Sequence, residues 1–171
     1  RTIKIIYRIV INSRIIDLLF RLIFSIRDNF EKKINNKKFD SIVIYSSSPN
    51  EHTFFGYYDI SPFSVDDKYL LAQTTPIRNQ PPKATDALKV GFFNMKSHQK
   101  FYQLGKTFTW NWQQGCRLQW FPYNSKSTII YNSIINDNYE SIVKDIKTKK
   151  TLKKYNFPIY AISNNGEYGL S

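Results

Sequence analysis

Past residue 40 the chain settles into short runs in which apolar and polar positions alternate or the apolar residues cluster. SIVIYSS, KYLLAQTT, LKVGFFNM, KFYQLGK, CRLQWFP, STIIYNSI, ESIVKDIK and TLKKYNF are each strand-length and rich in β-branched and aromatic residues. Asp, Asn, Ser, Gly and Lys separate them, and these residues favour turns. No helical period of useful length interrupts the series, so the pattern predicts a mainly β fold over most of the chain.

The opening segment, RTIKIIYRIVINSRIIDLLFRLIFSIRDNF, follows a different period. At about 100° per residue, Arg1, Lys4, Arg8, Arg14, Asp17, Arg21 and Asp28 fall on one arc, and Ile5, Ile9, Ile16, Leu19, Phe20 and Ile23 mainly on the other. Arg27 lands on the apolar side, and Val10, Ile11, Leu18 and Leu22 land among the charges. Residues 1–34 therefore read as a basic amphipathic helix, residues 35–50 as a linker and lead-in strand, and residues 51–171 as the β portion. Charges recur too often for a bilayer crossing, which needs roughly 20 predominantly apolar residues. Arginines likewise break any signal-peptide core, and no small-residue cleavage site follows. Two readings of the helix remain: it packs on the domain or a partner, or it lies on an anionic membrane face with residues 1–30. The matching location is the cytoplasm, peripheral to the inner membrane in the second case.

Within the β portion there is a weak internal repeat. DISPFSVDDKYLLAQ, LQWFPYNSKSTIIYN and YAISNNGEYGLS each run strand, polar turn, apolar strand, with turns at Asp66-Asp67, Asn124-Ser125 and Asn164-Asn165-Gly166. After the first two come strand pairs joined by the turns KSHQ and TKK. Four antiparallel strands, restarted, make the blade of a β-propeller; the alternative is an ordinary sandwich or meander. The expected arrangement is two blades and the first hairpin of a third, an incomplete ring. With Arg1 in place of an initiating methionine, and a last hairpin that looks unfinished, the chain reads as a fragment of a longer protein.

Composition changes this picture little. The formal net charge is +12. Lys plus Arg outnumber Asp plus Glu ten to four over residues 1–50, six to five over 51–100 and nine to four over 101–171, so the excess sits at the two ends. The later cluster, VKDIKTKKTLKK, straddles a hairpin turn, where lysines are solvated. No recognition helix or RNA-binding aromatic signature accompanies it, so nucleic acid is not an expected partner. Cys116 is the single cysteine, which excludes an intramolecular disulfide, and no Cys/His spacing suggests zinc.

Candidate chemistry concentrates in two strings. TFTWNWQQGCRLQW gathers three tryptophans, three glutamines and an arginine around Gly115. In a loop, the Gln113 and Gln114 amides donate and accept at once and match sugar hydroxyls, while the Trp110 and Trp112 indoles cover the C–H faces of a pyranose. Arg117 is suited to clamp a uronate carboxylate or a phosphate. Trp120 repeats a first-strand position and is assigned to packing between blades, a role open to Trp110 and Trp112 as well. The other string is HTFFGYYD, in which His52, Tyr58 and Asp59 are a candidate acid–base set beside the Gly56 turn and Tyr57. The structural alternative makes Phe54 and Phe55 core, Asp59 a turn cap and His52 a hydrogen-bonded scaffold residue. His98, in the turn KSHQK, is expected to be exposed and inert. Cys116 has no basic neighbour but Arg117 to activate it as a nucleophile.

EHTFFGYYDISPFS, FTWNWQQGCRLQWFP and PIYAISNNGEYGLS together resemble the N-terminal part of a group of bacterial β-propeller proteins associated with cell-surface polysaccharide synthesis. Some of that group are labelled glycosyltransferases, and a more distant similarity is to the oligogalacturonate lyase propellers. The resemblance runs from about Glu51 to the end, roughly two thirds of the chain. It implies a propeller that binds or processes carbohydrate, with a carbohydrate or nucleotide-sugar ligand and no reaction or cofactor specified. The lyases hold a metal through several histidines; His52 and His98 are the two histidines here, so no metal site carries over. Phosphate-binding loop, GxSxG and HExxH motifs are absent from the sequence, which disfavours an α/β glycosyltransferase. The competing class is a non-catalytic propeller that scaffolds other proteins.

Overall fold

The computed structural model describes residues 43–97, 100–122 and 127–171. The helix expected over residues 1–34, His98 and the Asn124-Ser125 turn lie outside them. Tyr45–Ser171 forms one compact unit, and the described part of the chain is mainly β. Its first sheet has the order β1 (His52–Phe54), β2 (Tyr69–Thr75), β3 (Leu88–Asn94), β4 (Phe101–Thr107). The second has the order β5 (Gln119–Trp120), β6 (Thr128–Ile135), β7 (Asn138–Asp145), β8 (Thr151–Tyr155). Both are antiparallel throughout, and β9 (Ala161–Ile162) pairs with β10 (Gly169–Leu170) as a separate hairpin. Among the described residues no helix is long and apolar enough to cross a membrane.

SIVIYSS departs from expectation. Its described residues form no ladder: Tyr45 lays its ring over Phe93 at 5.3 Å and donates its hydroxyl to Met95 O at 3.0 Å. Ser47 N then donates to Thr53 Oγ1 at 2.9 Å, which turns the chain back before β1. The first strand of this sheet is itself split. β1 registers Phe54 against Gln73, and pairing resumes where Leu71 N donates to Pro62 O and Phe63 bridges Leu70. Residues 55–61, FGYYDIS, bulge out between the two halves.

Alternation along the central strands makes two cores. Leu71, Leu88, Val90, Phe92 and Leu104 of the first sheet join Leu118, Ile129, Tyr131 and Ile142 of the second in one cluster. Ile130 and Val143, on the opposite face of the second sheet, pack with Phe121 and Ile159. Each such side chain contributes about 1.5–3 kcal/mol through burial.

Two of the strand–turn–strand segments share local hydrogen bonding. Ser64 N donates to Tyr69 O at 2.9 Å, while the Ser64 hydroxyl donates to Asp66 Oδ1 at 2.9 Å and accepts from Tyr69 N at 3.0 Å. Ser163 does the same with Asn165 Oδ1 at 2.7 Å and Tyr168 N at 2.9 Å. The following positive-φ position is Asp67 in one turn and Gly166 in the other. Between units, a buried amide on the second strand reaches forward. Gln73 Oε1 accepts from Cys116 N at 2.8 Å while its Nε2 donates to Phe55 O. Asn132 Oδ1 accepts from Ile159 N at 2.9 Å and its Nδ2 donates to Ile159 O at 3.0 Å. Both amides are nearly inaccessible to solvent, so each bond replaces one to water that the backbone would otherwise lose.

Three carboxylates in the turns and at the sheet end are held below their ordinary range. Burial pushes Glu51 up, but bonds from Lys89, Thr74 and Ser47 outweigh it. Burial likewise opposes the bonds that Asp145 accepts from Thr148 and Lys147. Asp66 is lowered to about 2, chiefly by Lys68 and then by Ser64. A depressed carboxyl contributes stability that is present above the unfolded value, near 4, and lost as pH falls through the folded value. Thermal melts are expected to be flat from pH 7 to about 5 and to drop between pH 4 and 2; a flat profile to pH 2 removes these contacts as stabilising elements.

Candidate functional site

HTFFGYYD and WNWQQG come together around Gln73. Gly56, at φ 132°, passes so close to the second string that a Cβ there would lie 2.7 Å from Gln114 O. Gly115, at φ 59°, leaves no space at all, because a Cβ would overlap the Gln73 carboxamide. Both glycines are thus required by close backbone approach as well as by conformation.

WNWQQG is a closed loop. Asn111 and Gly115 pair as an isolated bridge, with Gly115 N donating to Asn111 O at 2.9 Å, and Gln114 N donates to Asn111 Oδ1 at 2.8 Å. Trp112, Gln113 and Gln114 form its tip. Trp110 and Trp112 meet edge to face at 5.2 Å, and each donates its indole N–H to the β2–β3 connection: Trp110 to Asp86 O and Trp112 to Gln80 O, both at 2.7 Å. Phe54 lies 6.2 and 5.4 Å from the two rings, and His52 stands edge-on to Trp112 at 5.9 Å. These tryptophans therefore hold down the proline-bearing loop. Trp120 donates to Pro62 O at 3.0 Å and packs against the first core, so it joins the second sheet to the first.

The charged centre lies at Arg117. It adopts φ 55° and is 5% exposed. Nε and Nη2 donate to Tyr160 O at 2.9 and 2.6 Å, and the two Nη atoms fork onto Asp59 Oδ1 and Oδ2, each at 3.2 Å. Its Cζ sits 3.9 Å from the Tyr160 ring centroid, a cation–π contact. Residues 59 and 160 open the segments DISPFS and YAISNN and residue 117 immediately precedes LQWFP, so a single guanidinium ties the three stretches together. Tyr57 stacks on Tyr58 at 4.3 Å, and its hydroxyl donates to that of Tyr58 at 3.4 Å. That bond first, then burial and the nearby Tyr160 and Asp59, hold the Tyr57 hydroxyl above its usual range, with Gln113 opposing. Tyr58, Asp59, Gln113 and Arg117 thus converge about Tyr57 and Tyr160, two residues the string-by-string reading did not assign to the site.

His52, Tyr58 and Asp59 do not come together as a set. His52 faces Trp112 with its buried Nε2 lacking a hydrogen-bond partner among the described residues, Tyr58 is paired to Tyr57, and Asp59 is paired to Arg117. Arg117 in turn has its fork filled from within the chain. Cys116 is a core residue: it is 2% exposed, and burial pushes its thiol far above the range in which a thiolate forms. No group of three His, Cys, Asp or Glu suited to a metal occurs among the described residues.

Two concavities share Arg117 in their linings. The first, about 390 Å³, is lined by Trp110, Asn111, Gln114, Arg117 and Tyr139 among others, with Ala84 of the β2–β3 connection at its edge. The second, about 550 Å³, runs between Asp59–Val65, Arg117–Pro122 and Ala161–Asn164. Trp112, Gln113 and His52 line neither. Comparison of the chain with protein-family models, with curated proteins and with solved structures found no match.

Proposed function

We propose that residues 51–171 are blades of a β-propeller that binds or processes a carbohydrate or nucleotide-sugar ligand in bacterial surface-polysaccharide synthesis. The propeller reading is supported by the restarted four-strand order, the matching Ser64 and Ser163 turns, and the forward-reaching amides Gln73 and Asn132. The ligand reading rests on one observation: Arg117 lines two concavities and is forked onto the partly exposed Asp59 of the second, with Tyr160 packed on its guanidinium. Asp59 is 34% exposed and each oxygen accepts one bond from Arg117, so lone pairs remain for sugar hydroxyls. Gln114 and Asn111 add amides to the first concavity. Binding is favoured over catalysis, because the candidate acid–base groups His52, Tyr58 and Asp59 are engaged with different neighbours. The scaffold reading has one observation in its favour, the commitment of both indole N–H groups of WNW to main-chain carbonyls.

A glycan and nucleotide-sugar binding screen tests this proposal, paired with Gln113→Ala and Gln114→Ala. Gln114→Ala is expected to lose a ligand hydrogen bond of about 0.5–1.5 kcal/mol, a roughly 2- to 12-fold weaker affinity, with the melting temperature unchanged, while Gln113→Ala, outside both concavities, leaves affinity unchanged. If Gln114→Ala melts several degrees low with undiminished affinity, the loop is structural and the scaffold reading replaces this one.

A further inference from the structure

We infer that the second concavity is itself a saccharide subsite, and that the ligand is a neutral oligosaccharide chain running from one concavity to the other past Arg117. This inference rests on the carbohydrate reading and adds to it the ligand's length and charge.

Charge is decided by the lining. Among the described residues Arg117 is the one basic side chain lining either concavity, and four of its five N–H donors are committed to Asp59 and the Tyr160 carbonyl. Asp59 adds a carboxylate to the second concavity. Among the described residues a uronate or phosphate entering there would meet no unpaired cation and one anion, and would lose its hydration without compensation. A neutral sugar has no such penalty. The surface also suits a sugar's two-sided character: Phe63, Trp120 and Ile162 offer apolar area to ring C–H faces, and Ser61, Ser163 and Asn164 offer donors and acceptors. Phe63 is 47% exposed and Val65 75% exposed along the same lip, apolar area that a bound chain would cover.

Length follows from the shared wall. Both volumes fall within the range of ordinary ligand sites. Arg117 belongs to both linings, and the partly exposed Asp59 carboxylate beside it gives a hydroxyl acceptor at the crossing point. A single sugar occupies one concavity; a chain engages both, and the second contact raises affinity without a second association cost.

The test uses the full chain with named probes: methyl glycosides of glucose, galactose and N-acetylglucosamine, their β-linked tetrasaccharides, and tetragalacturonate, followed by calorimetry and ligand-observed NMR. Ala84→Trp plugs the first concavity; Asn164→Trp and, separately, Ser61→Trp plug the second. These three positions are exposed, and melts check that each variant folds. At least one neutral tetrasaccharide should bind about tenfold or more tighter than its methyl glycoside, with each plug weakening it about tenfold and tetragalacturonate not binding. If Ala84→Trp abolishes binding while both second-concavity plugs leave it intact, this inference falls and the carbohydrate reading stands. Binding that survives every plug overturns this inference and puts the ligand outside both concavities. Tighter binding of tetragalacturonate than of the neutral chains overturns the charge assignment, and binding by none of the probes overturns the inference as a whole.

Discussion

Asp59→Ala should destabilise the protein by about 3 kcal/mol, a drop of roughly 10 °C in melting temperature. Arg117 is 5% exposed and its fork rests on Asp59, so truncating the acid leaves a nearly buried guanidinium with the Tyr160 carbonyl and ring alone. Breaking a fully buried pair in this way costs about 3–5 kcal/mol. The lower end applies, because Asp59 is 34% exposed and water can enter where it was. Arg117→Met should cost less than Asp59→Ala, since the methionine fills apolar volume and the freed carboxylate can hydrate. The double variant should be no worse than Asp59→Ala alone. Denaturant melts of the four proteins form the cycle, and a change below about 0.5 kcal/mol for Asp59→Ala would mean the pair is an ordinary surface contact.

Gly115→Ala carries a comparable expectation, about 3 kcal/mol, for different reasons. A side chain at φ 59° costs about 1–2 kcal/mol on conformation alone. The added Cβ also displaces the Gln73 carboxamide, stranding the buried N–H of Cys116 at a further 1–3 kcal/mol or so. Gly166→Ala separates the two contributions. Its φ is 74°, but the nearest neighbour of a Cβ would be Pro122 Cβ at 3.5 Å, so only the conformational part applies. Equal melting temperatures for the two variants would show that the carboxamide contact contributes nothing.

Much of the β architecture was legible because the central strands are buried on both faces and so stand out as apolar runs. KYLLAQTT, LKVGFFNM and STIIYNSI lie on β2, β3 and β6. SIVIYSS has the same composition and forms no ladder, since the choice between pairing and laying Tyr45 over Phe93 is made by tertiary packing. The HTF strand was hidden by its own interruption: with FGYYDIS bulging out, neither half is long enough to show alternation.

The site was legible as a set of residue types and not as a geometry. Trp110 and Trp112 look like a sugar platform until their partners are known, and those partners are main-chain carbonyls of Asp86 and Gln80, which carry no side-chain signature. Arg117 looks like an anion clamp until Asp59, 58 residues earlier, is seen to fill its fork. Tyr160 enters through its carbonyl and ring face, neither of which any motif marks.

The joint between units is half side chain and half main chain. Gln73 and Asn132 supply the amides, and the groups they grasp at Cys116 and Ile159 are backbone atoms. Any residue except proline can offer that N–H, so the receiving position is free to drift, and a thiol and a branched hydrocarbon stand there with equal success. Sheets joined in this way can differ in almost all their sequence and still seat against one another, provided the one reaching amide is kept.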